Sequence, residues 1–217
     1  MQIHVIRRLE ELAQHAPRWN ELLGRSRSNS IFLTWEWVEL WWQVFGAGLE
    51  PTVLLAEDEG RWVGVAPLMT AGHPGPGGRH LRTLKFLGQG GDTLAEYLDF
   101  FAEPGHEAAI AAAVADELCG PLRRRWDALL LQRVLAESPH VASFTARLRE
   151  HGVALEPRNE DPSPYLTLPA SMEALLAAKS ANFRYQYQRS RKRLGKAGNV
   201  RLLRAGQDLP IAEAMAV

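Results

Sequence analysis

The sequence predicts a mixed α/β domain with a single sheet and helices beside it. Three observations carry this reading. Residues 51–56 and 61–69 are strand-like runs joined by Glu57-Asp58-Glu59-Gly60, an acidic turn closed by glycine that marks a hairpin. Downstream, apolar runs and helical patterns follow one another as strand, helix, strand, helix, strand. The 217 residues, 46% hydrophobic and 23% charged, are enough for one good core, or for one domain plus part of a second. No internal repeat of solenoid length is present.

Residues 2–6 alternate weakly and form a first strand. Leu12, Ala16, Trp19, Leu22 and Leu23 recur at helical spacing over 9–23, and Gly24 ends that helix. After a polar loop at 26–30, residues 35–45 form a helix with Thr34 as N-cap, Glu36 at the positive end of its dipole and Gly46 as stop. Leu40, Val44, Trp37, Trp41, Phe45, Val38, Trp42 and Trp35 span an arc of about 220° on its wheel, against roughly 100° for a surface helix. This helix is therefore expected to be covered on two sides, as an aromatic core element, with some indole N–H groups meeting polar partners at a groove edge.

Beyond the hairpin, His73-Pro74-Gly75-Pro76-Gly77-Gly78 is a loop and 80–87 a strand. Gly88-Gln89-Gly90-Gly91 reads as a turn. Residues 97–102 read as a strand, with Asp92, Glu96 and Asp99 as an acidic rim, or with Asp99 on the strand's solvent face. Pro104-Gly105 breaks the strand, and an alanine-rich helix over 107–118 closes at Gly120-Pro121. Residues 126–134 read as a buried strand, and Ser138-Pro139 opens a helix to about His151. Strands at 153–156 and 165–168 flank a polar loop with prolines. Ser171 opens a short helix, a basic helix follows, 200–203 is strand-like, and Asp208-Leu209-Pro210 starts a helix that is still apolar at Val217.

Several chemistries are excluded. The single Cys119 permits no internal disulfide or multi-cysteine zinc site, fits a reducing compartment, and reads as a small core residue. The seven histidines are scattered, with no His-x-x-x-His pair and no carboxylate at ligand spacing, so no metal site is expected. There is no Gly-x-Ser-x-Gly elbow, and Gly88-Gln89-Gly90-Gly91 lacks the Lys-Ser/Thr of a phosphate-binding P-loop. The N-terminus has no basic segment followed by an apolar one, and no apolar run approaches the roughly 20 residues of a membrane span. A cytoplasmic location is expected.

The charge is unevenly placed. Residues 179–196 hold seven Lys or Arg and no carboxylate, and Arg201 and Arg204 bring the run to nine. The rest of the chain then holds 16 of the 25 basic residues against all 25 acidic ones, although the formal net charge is +0. On a helix Phe183, Tyr187 and Leu194 form one narrow stripe, and Lys179, Arg184, Arg189, Arg191, Lys192 and Arg193 cover most of the remainder. Such a surface suits phosphates, nucleic acid, acidic lipid or an acidic partner. A solvated face that neutralises the acidic body is the simpler reading of a basic run and is ranked first.

Phe32-x-Thr34-x-x-Trp37-x-x-x-Trp41-Trp42-x-x-x-Gly46, Trp62-Val63-Gly64-Val65-Ala66-Pro67-Leu68, Phe86-Leu87-Gly88 and Glu96-Tyr97-Leu98-Asp99 resemble the N-terminal half of the CelD-like proteins. Those are bacterial acyltransferase-like members of the GNAT superfamily, often linked to cellulose or other exopolysaccharide production and related to the FemAB peptidoglycan transferases. Asn182-Phe183-Arg184, Arg189, Arg193-Leu194 and Gly198-Asn199-Val200 resemble the opening of that family's second GNAT domain. The resemblance runs the whole length as a pattern of aromatic, glycine and arginine positions, without a catalytic signature.

The resemblance implies a GNAT-like sheet flanked by helices over residues 1–170 and the start of an incomplete second GNAT-like domain over 171–217. It implies acyl transfer from acyl-CoA to an amine in exopolysaccharide or cell-envelope biosynthesis. Acetyl-CoA or another acyl-CoA would be held by the second domain, and the acceptor would be a small-molecule or saccharide amine. In that superfamily the CoA pyrophosphate rests on a Gln/Arg-x-x-Gly-x-Gly/Ala loop at a helix N-terminus. The matching place here is Ala102-Glu103-Pro104-Gly105-His106-Glu107-Ala108, with one glycine, a proline and two carboxylates. The first domain is therefore not expected to hold CoA. With the second domain ending within about 50 residues, short of the roughly 100 that a domain needs, this chain alone is expected to be inactive.

Arg184 and Arg189 match the family's arginine-rich helix. With Tyr187 and Arg191 they are the expected substrate- or anion-binding residues of an interdomain groove, although Gln188 stands where a second arginine is often found. No residue is assigned as catalytic base. Two further readings stay open. One is a FemAB-type aminoacyl transferase acting on a peptidoglycan precursor, whose basic helix would touch RNA phosphates but whose long helical arm is not evident. The other is a non-enzymatic anion- or RNA-binding module that stacks bases on Tyr185 and Tyr187. Nucleic acid is the less expected partner.

Overall fold

The computed structural model describes residues 1–158 and 166–214. The chain divides into two compact units, Met1–Glu160 and Asp161–Val217.

Unit 1 is mixed α+β. Its first strand, β1, is Gln2–Ile6. The helix expected over 9–23 is two, α1 (Glu10–Ala13) and α2 (Ala16–Arg25). Pro17 explains the break, because proline lacks an N–H and is tolerated only in a helix's first turn, where it stands in α2. Ser30 caps a short 3₁₀ turn, and Thr34 then caps α3 (Trp35–Phe45) by accepting from the Trp37 N–H at 3.4 Å. The strands that follow are β2 (Glu50–Pro51), β3 (Val53–Asp58), β4 (Arg61–Ala66), β5 (Leu68–Pro74), β6 (His80–Phe86), β7 (Phe101–Ala102) and β8 (Ala128–Leu129). Helices α4 (Glu107–Cys119) and α5 (Val141–Glu150) complete the unit. The expected hairpin is β3–β4, turned by Glu59 and Gly60 at φ 48° and 77°. This double left-handed pair matches the twist of antiparallel strands.

The ladders fall into two four-stranded sheets, β1-β3-β4-β7 and β2-β5-β6-β8, rather than the one expected. Their registers are nevertheless continuous. Glu50 faces Thr70, Pro51 faces Met69 and Leu54 faces Ala66, with the Thr52 N–H donating to the Leu68 carbonyl between them. The division falls at Pro67, which has no N–H to give to a ladder. One bent surface results. On its other side the neighbouring strand is interrupted. Phe86 faces Leu68 and Phe101 faces Val65, so the partner advances three residues while residues 87–100 are extruded as a loop.

That extrusion overturns the strand expected over 97–102. Tyr97 has φ 56°, and the Phe100 N–H bonds the Asp99 side chain instead of a neighbouring strand. The buried strand expected over 126–134 is only β8, a half-exposed edge parallel to β6. Residues 153–156 and 200–203 form no strand. Tyr165 lies outside the described residues, and 166–168 are not strand.

Neighbouring positions on a strand face opposite ways. From Gly64 the face meets α4, where an added Cβ would lie 2.2 Å from the Ile110 Cδ1. From Phe101 it meets α2, with the Trp19 ring 5.0 Å away and edge-on. The core thus has helices on both sides of the sheet, α2 and α3 on one and α4 with α5 on the other.

The two-sided burial expected for α3 is not observed. Trp35, Val38 and Trp41 are buried, Trp37 and Trp42 half-buried, and Leu40 and Val44 each 60% exposed. One face of α3 meets α2 and the 3₁₀ turn before it, with the Trp35 ring edge-on to Trp19, and the extruded loop covers part of its C-terminal half. The Trp41 Nε1–H donates to the Gly90 carbonyl at 3.2 Å, and the Phe45 ring lies against Gly91. Among the described residues of unit 1, no second layer reaches Leu40 or Val44.

In unit 2, Ser171 caps α6 (Met172–Ala177) and Ser180 caps α7 (Ala181–Ala197). The helix begun at Pro210 is α8 (Ile211–Ala214); its expected continuation lies outside the described residues. None of the described residues of unit 2 is buried.

Candidate ligand pocket

The extruded loop borders a cavity of about 440 Å³ in unit 1. Its wall comes from three separate stretches: Arg27 to Phe32 before α3, Tyr97 to Asp99 at the end of the extruded loop, and Leu135 to Pro139 before α5.

Asp99 holds these stretches together. Its Oδ2 accepts the hydroxyls of Ser28 at 2.9 Å and Ser138 at 2.7 Å, and its Oδ1 accepts the Phe100 N–H at 2.8 Å. It is 7% exposed, so neither the acidic rim nor the solvent face read from the sequence describes it. The loop at 26–30 is fixed by Ser26, whose hydroxyl accepts the N–H groups of Ser28 and Ala102. Ser138 is fixed in turn by accepting the His140 N–H at 3.2 Å.

His140 is 1% exposed behind this floor. Its Nδ1 lies 3.3 Å from Asp99 Oδ1, within ion-pair reach but not aligned as a hydrogen bond, and neither ring nitrogen has a hydrogen-bond partner among the described residues. The Ser hydroxyls point to Asp99 and not to His140, so no serine–histidine nucleophile is assembled. No signal in the linear sequence joins positions 28, 99, 138 and 140; only the loop extrusion brings them together.

The start of the extruded loop is pinned by Gln89, whose amide nitrogen donates to the Leu130 carbonyl and the Gln132 side chain. Gly88, Gly90 and Gly91 all have positive φ, in keeping with the expected glycine turn.

The N-terminus of α4 is the second feature to place. Glu107 is 7% exposed, and its Oε2 accepts the Gly105 N–H at 2.7 Å. Burial works against the charged carboxylate, but the N–H groups of Glu107 and Gly105 and the positive Arg27, 3.5 Å away, outweigh it and hold its pKa below the ordinary value. The helix end is thus neutralised by its own side chain. Its residues do not fit the pyrophosphate of CoA, since a carboxylate already holds the Gly105 N–H and Pro104 has none.

The four residues singled out on the basic helix all lie on α7, in unit 2. Tyr187 is half-buried; Arg184, Arg189 and Arg191 are exposed. At roughly 100° per residue Arg184, Tyr187 and Arg191 share one side, and Arg189 lies about 140° from Arg184. The Arg184 guanidinium also donates to the Lys179 carbonyl and closes the turn between α6 and α7. Among the described residues no cluster of three or more His, Cys, Asp or Glu could hold a metal ion, and no helix is long and apolar enough to cross a membrane.

No protein-family model and no curated protein matches the chain. Among solved structures it is similar to a ribosomal-protein-alanine N-acetyltransferase from Brucella melitensis biovar Abortus 2308, at 14% identity over 77% of this chain and 99% of that one, TM-score 0.38. A Trypanosoma brucei acetyltransferase is 19% identical over 75% of this chain and 99% of that one, TM-score 0.41. An aminoglycoside antibiotic 6'-N-acetyltransferase from Acinetobacter haemolyticus is 13% identical over 77% of this chain and 100% of that one, TM-score 0.39.

Proposed function

We propose that this chain is part of a GNAT-type N-acyltransferase that moves an acyl group from acyl-CoA to an amine in exopolysaccharide or cell-envelope biosynthesis. In this reading residues 1–170 form the non-catalytic half, and 171–217 open the second GNAT-like domain, where acetyl-CoA or another acyl-CoA is held. Arg184, Arg189, Tyr187 and Arg191 then meet the anionic part of the substrate or cofactor. Supporting it are the pattern of aromatic, glycine and arginine positions along the chain and the basic surface of α7. One observation carries the division of labour: the α4 N-terminus of unit 1 already holds the Glu107 carboxylate where a pyrophosphate would need free N–H groups.

Calorimetry with acetyl-CoA tests this. No heat is expected from the 217-residue chain. A one-to-one isotherm that disappears on substitution at Gly105 would make unit 1 the cofactor domain and overturn the proposal. Tight, salt-dependent retention of a tRNA acceptor-stem RNA, lost on charge reversal at Arg184 and Arg189, would favour aminoacyl transfer of the FemAB type instead, because phosphate contacts weaken with salt.

A further inference from the structure

We infer that the cavity in unit 1 is a binding site for a primary ammonium, with Asp99, Ser28 and Ser138 as the floor that receives it. The inference rests on the acyl-transfer reading only for what the bound amine undergoes; the binding itself follows from the hydrogen inventory of the site.

A serine hydroxyl has one hydrogen to give and lone pairs with which to accept. Ser28 and Ser138 both spend that hydrogen on Asp99 Oδ2. Toward the cavity their oxygens can therefore only accept, and so can the carboxylate between them. Pro139, on the same wall, has no N–H. Such a floor rejects an oxyanion or a carbonyl and suits a group made entirely of donors. An ammonium brings three donors and a positive charge on the cavity side of Asp99.

The charge count agrees. Among the described residues three charged side chains line the cavity: Arg27, Asp99 and Glu137. Arg27 is turned to Glu107, 3.5 Å away. Asp99 is thus a buried carboxylate with hydroxyl and amide partners and the His140 ring 3.3 Å behind its Oδ1, but with no Lys or Arg against it among the described residues; on the cavity side a cationic ligand gains both Coulomb energy and charge-assisted hydrogen bonds. The remaining wall sets the body of the ligand. Ile31, Phe32, Leu98 and Leu135 are apolar, and the Tyr97 ring stands 43% exposed beside them on a left-handed backbone. A primary amine on a ring-sized carbon body fits this lining.

The test is calorimetry on the full chain, without acyl donor, using 2-phenylethylamine and its N-acetyl derivative, which keeps the ring and loses the charge. We expect the amine to bind at least tenfold more tightly than the amide. Asp99→Asn should abolish that preference. Leu135→Trp, at an exposed wall position, should fill the cavity and remove binding of both compounds, and it keeps the test independent of the Asp99 fold contacts. Equal affinity for amine and amide, undiminished amine binding in either variant, or no amine binding at millimolar ligand would each overturn the inference. Amine binding together with release of CoA thiol from acetyl-CoA by this chain alone would support the site and overturn only the division of labour proposed above.

Discussion

Leu94 projects 76% of its surface into solvent from a backbone at φ 48°, and Asp92 and Tyr97 on either side have φ 56°. The left-handed region costs a side-chain-bearing residue roughly 1–2 kcal/mol, and such strain tends to gather at functional sites. At Leu94 little packing offsets it. Leu94→Gly should therefore raise the stability of unit 1 by about 1 kcal/mol in denaturant titration, while Leu94→Ala should leave the midpoint in place. A loss of stability in the glycine variant would mean that the Leu94 side chain, though exposed, holds the loop. None of this strain is legible in the sequence, where Tyr97-Leu98-Asp99-Phe100 has the alternation of a strand. The structure does not keep that alternation: Tyr97 is exposed, but Leu98, Asp99 and Phe100 are all buried. What decides against the strand is Asp99, whose carboxylate bonds its neighbour's N–H and two distant hydroxyls. Contacts 71 and 39 residues apart leave no mark on local periodicity.

At the scale of elements, caps and turns were the most legible features. Thr34, Gly46, Ser171 and the Glu59-Gly60 turn act as their residue types require, because each works through bonds within four residues. The apolar wheel of α3 misled, since hydrophobicity says that a face is suited to burial but not that a neighbour exists to bury it. Trp41→Ala should cost about 3–5 kcal/mol, as removal of a buried ring does, whereas Leu40→Ser and Val44→Ser should stay within about 0.5 kcal/mol. Comparable losses at Leu40 and Trp41 in chemical denaturation would put a covering layer back on that side.

The short β8 depends on an ion pair that periodicity does not reveal. Arg82 donates to both oxygens of Asp127, at 3.0 Å each, and Asp127 also accepts the Arg82 N–H at 2.9 Å. The Arg82 side chain and backbone hydrogen bonds lower the Asp127 pKa from 3.8 to about 2. Because the folded value is depressed, the contribution is present above the unfolded pKa and is lost as pH falls from about 4 toward 2. The thermal midpoint of Asp127→Asn should accordingly lie below that of the parent at pH 6 and converge on it near pH 2. A gap that does not narrow over this range would show that the carboxylate's charge is not what holds β8.

On the scale of the whole molecule, the asymmetry visible in charge has a counterpart in burial. Among the described residues every buried hydrophobic one lies between Leu9 and Leu148, within unit 1. Unit 2 has no buried residue among those described, and Leu202, Leu168, Ile211 and Val200 are each more than 60% exposed. Helices of fewer than about 12–15 residues are marginal in water, and longer ones still draw most of their stability from packing an apolar face. Ser180 caps α7 and Arg184 ties its first turn to Lys179, but these are local bonds worth about 1 kcal/mol each. A fragment of residues 1–160 should therefore unfold cooperatively, with a free energy within about 0.5 kcal/mol of that of unit 1 in the whole chain. A peptide of residues 161–217 should show only partial helicity in circular dichroism, without a cooperative melt. Amide exchange in the intact chain should agree: α7 amides should exchange by local opening, and β3 and β4 amides only by global unfolding. If the 1–160 fragment lost its cooperative transition, or if α7 were as protected as β3, the second unit would be contributing to the core of the first, and the two units could not be treated as separate in stability.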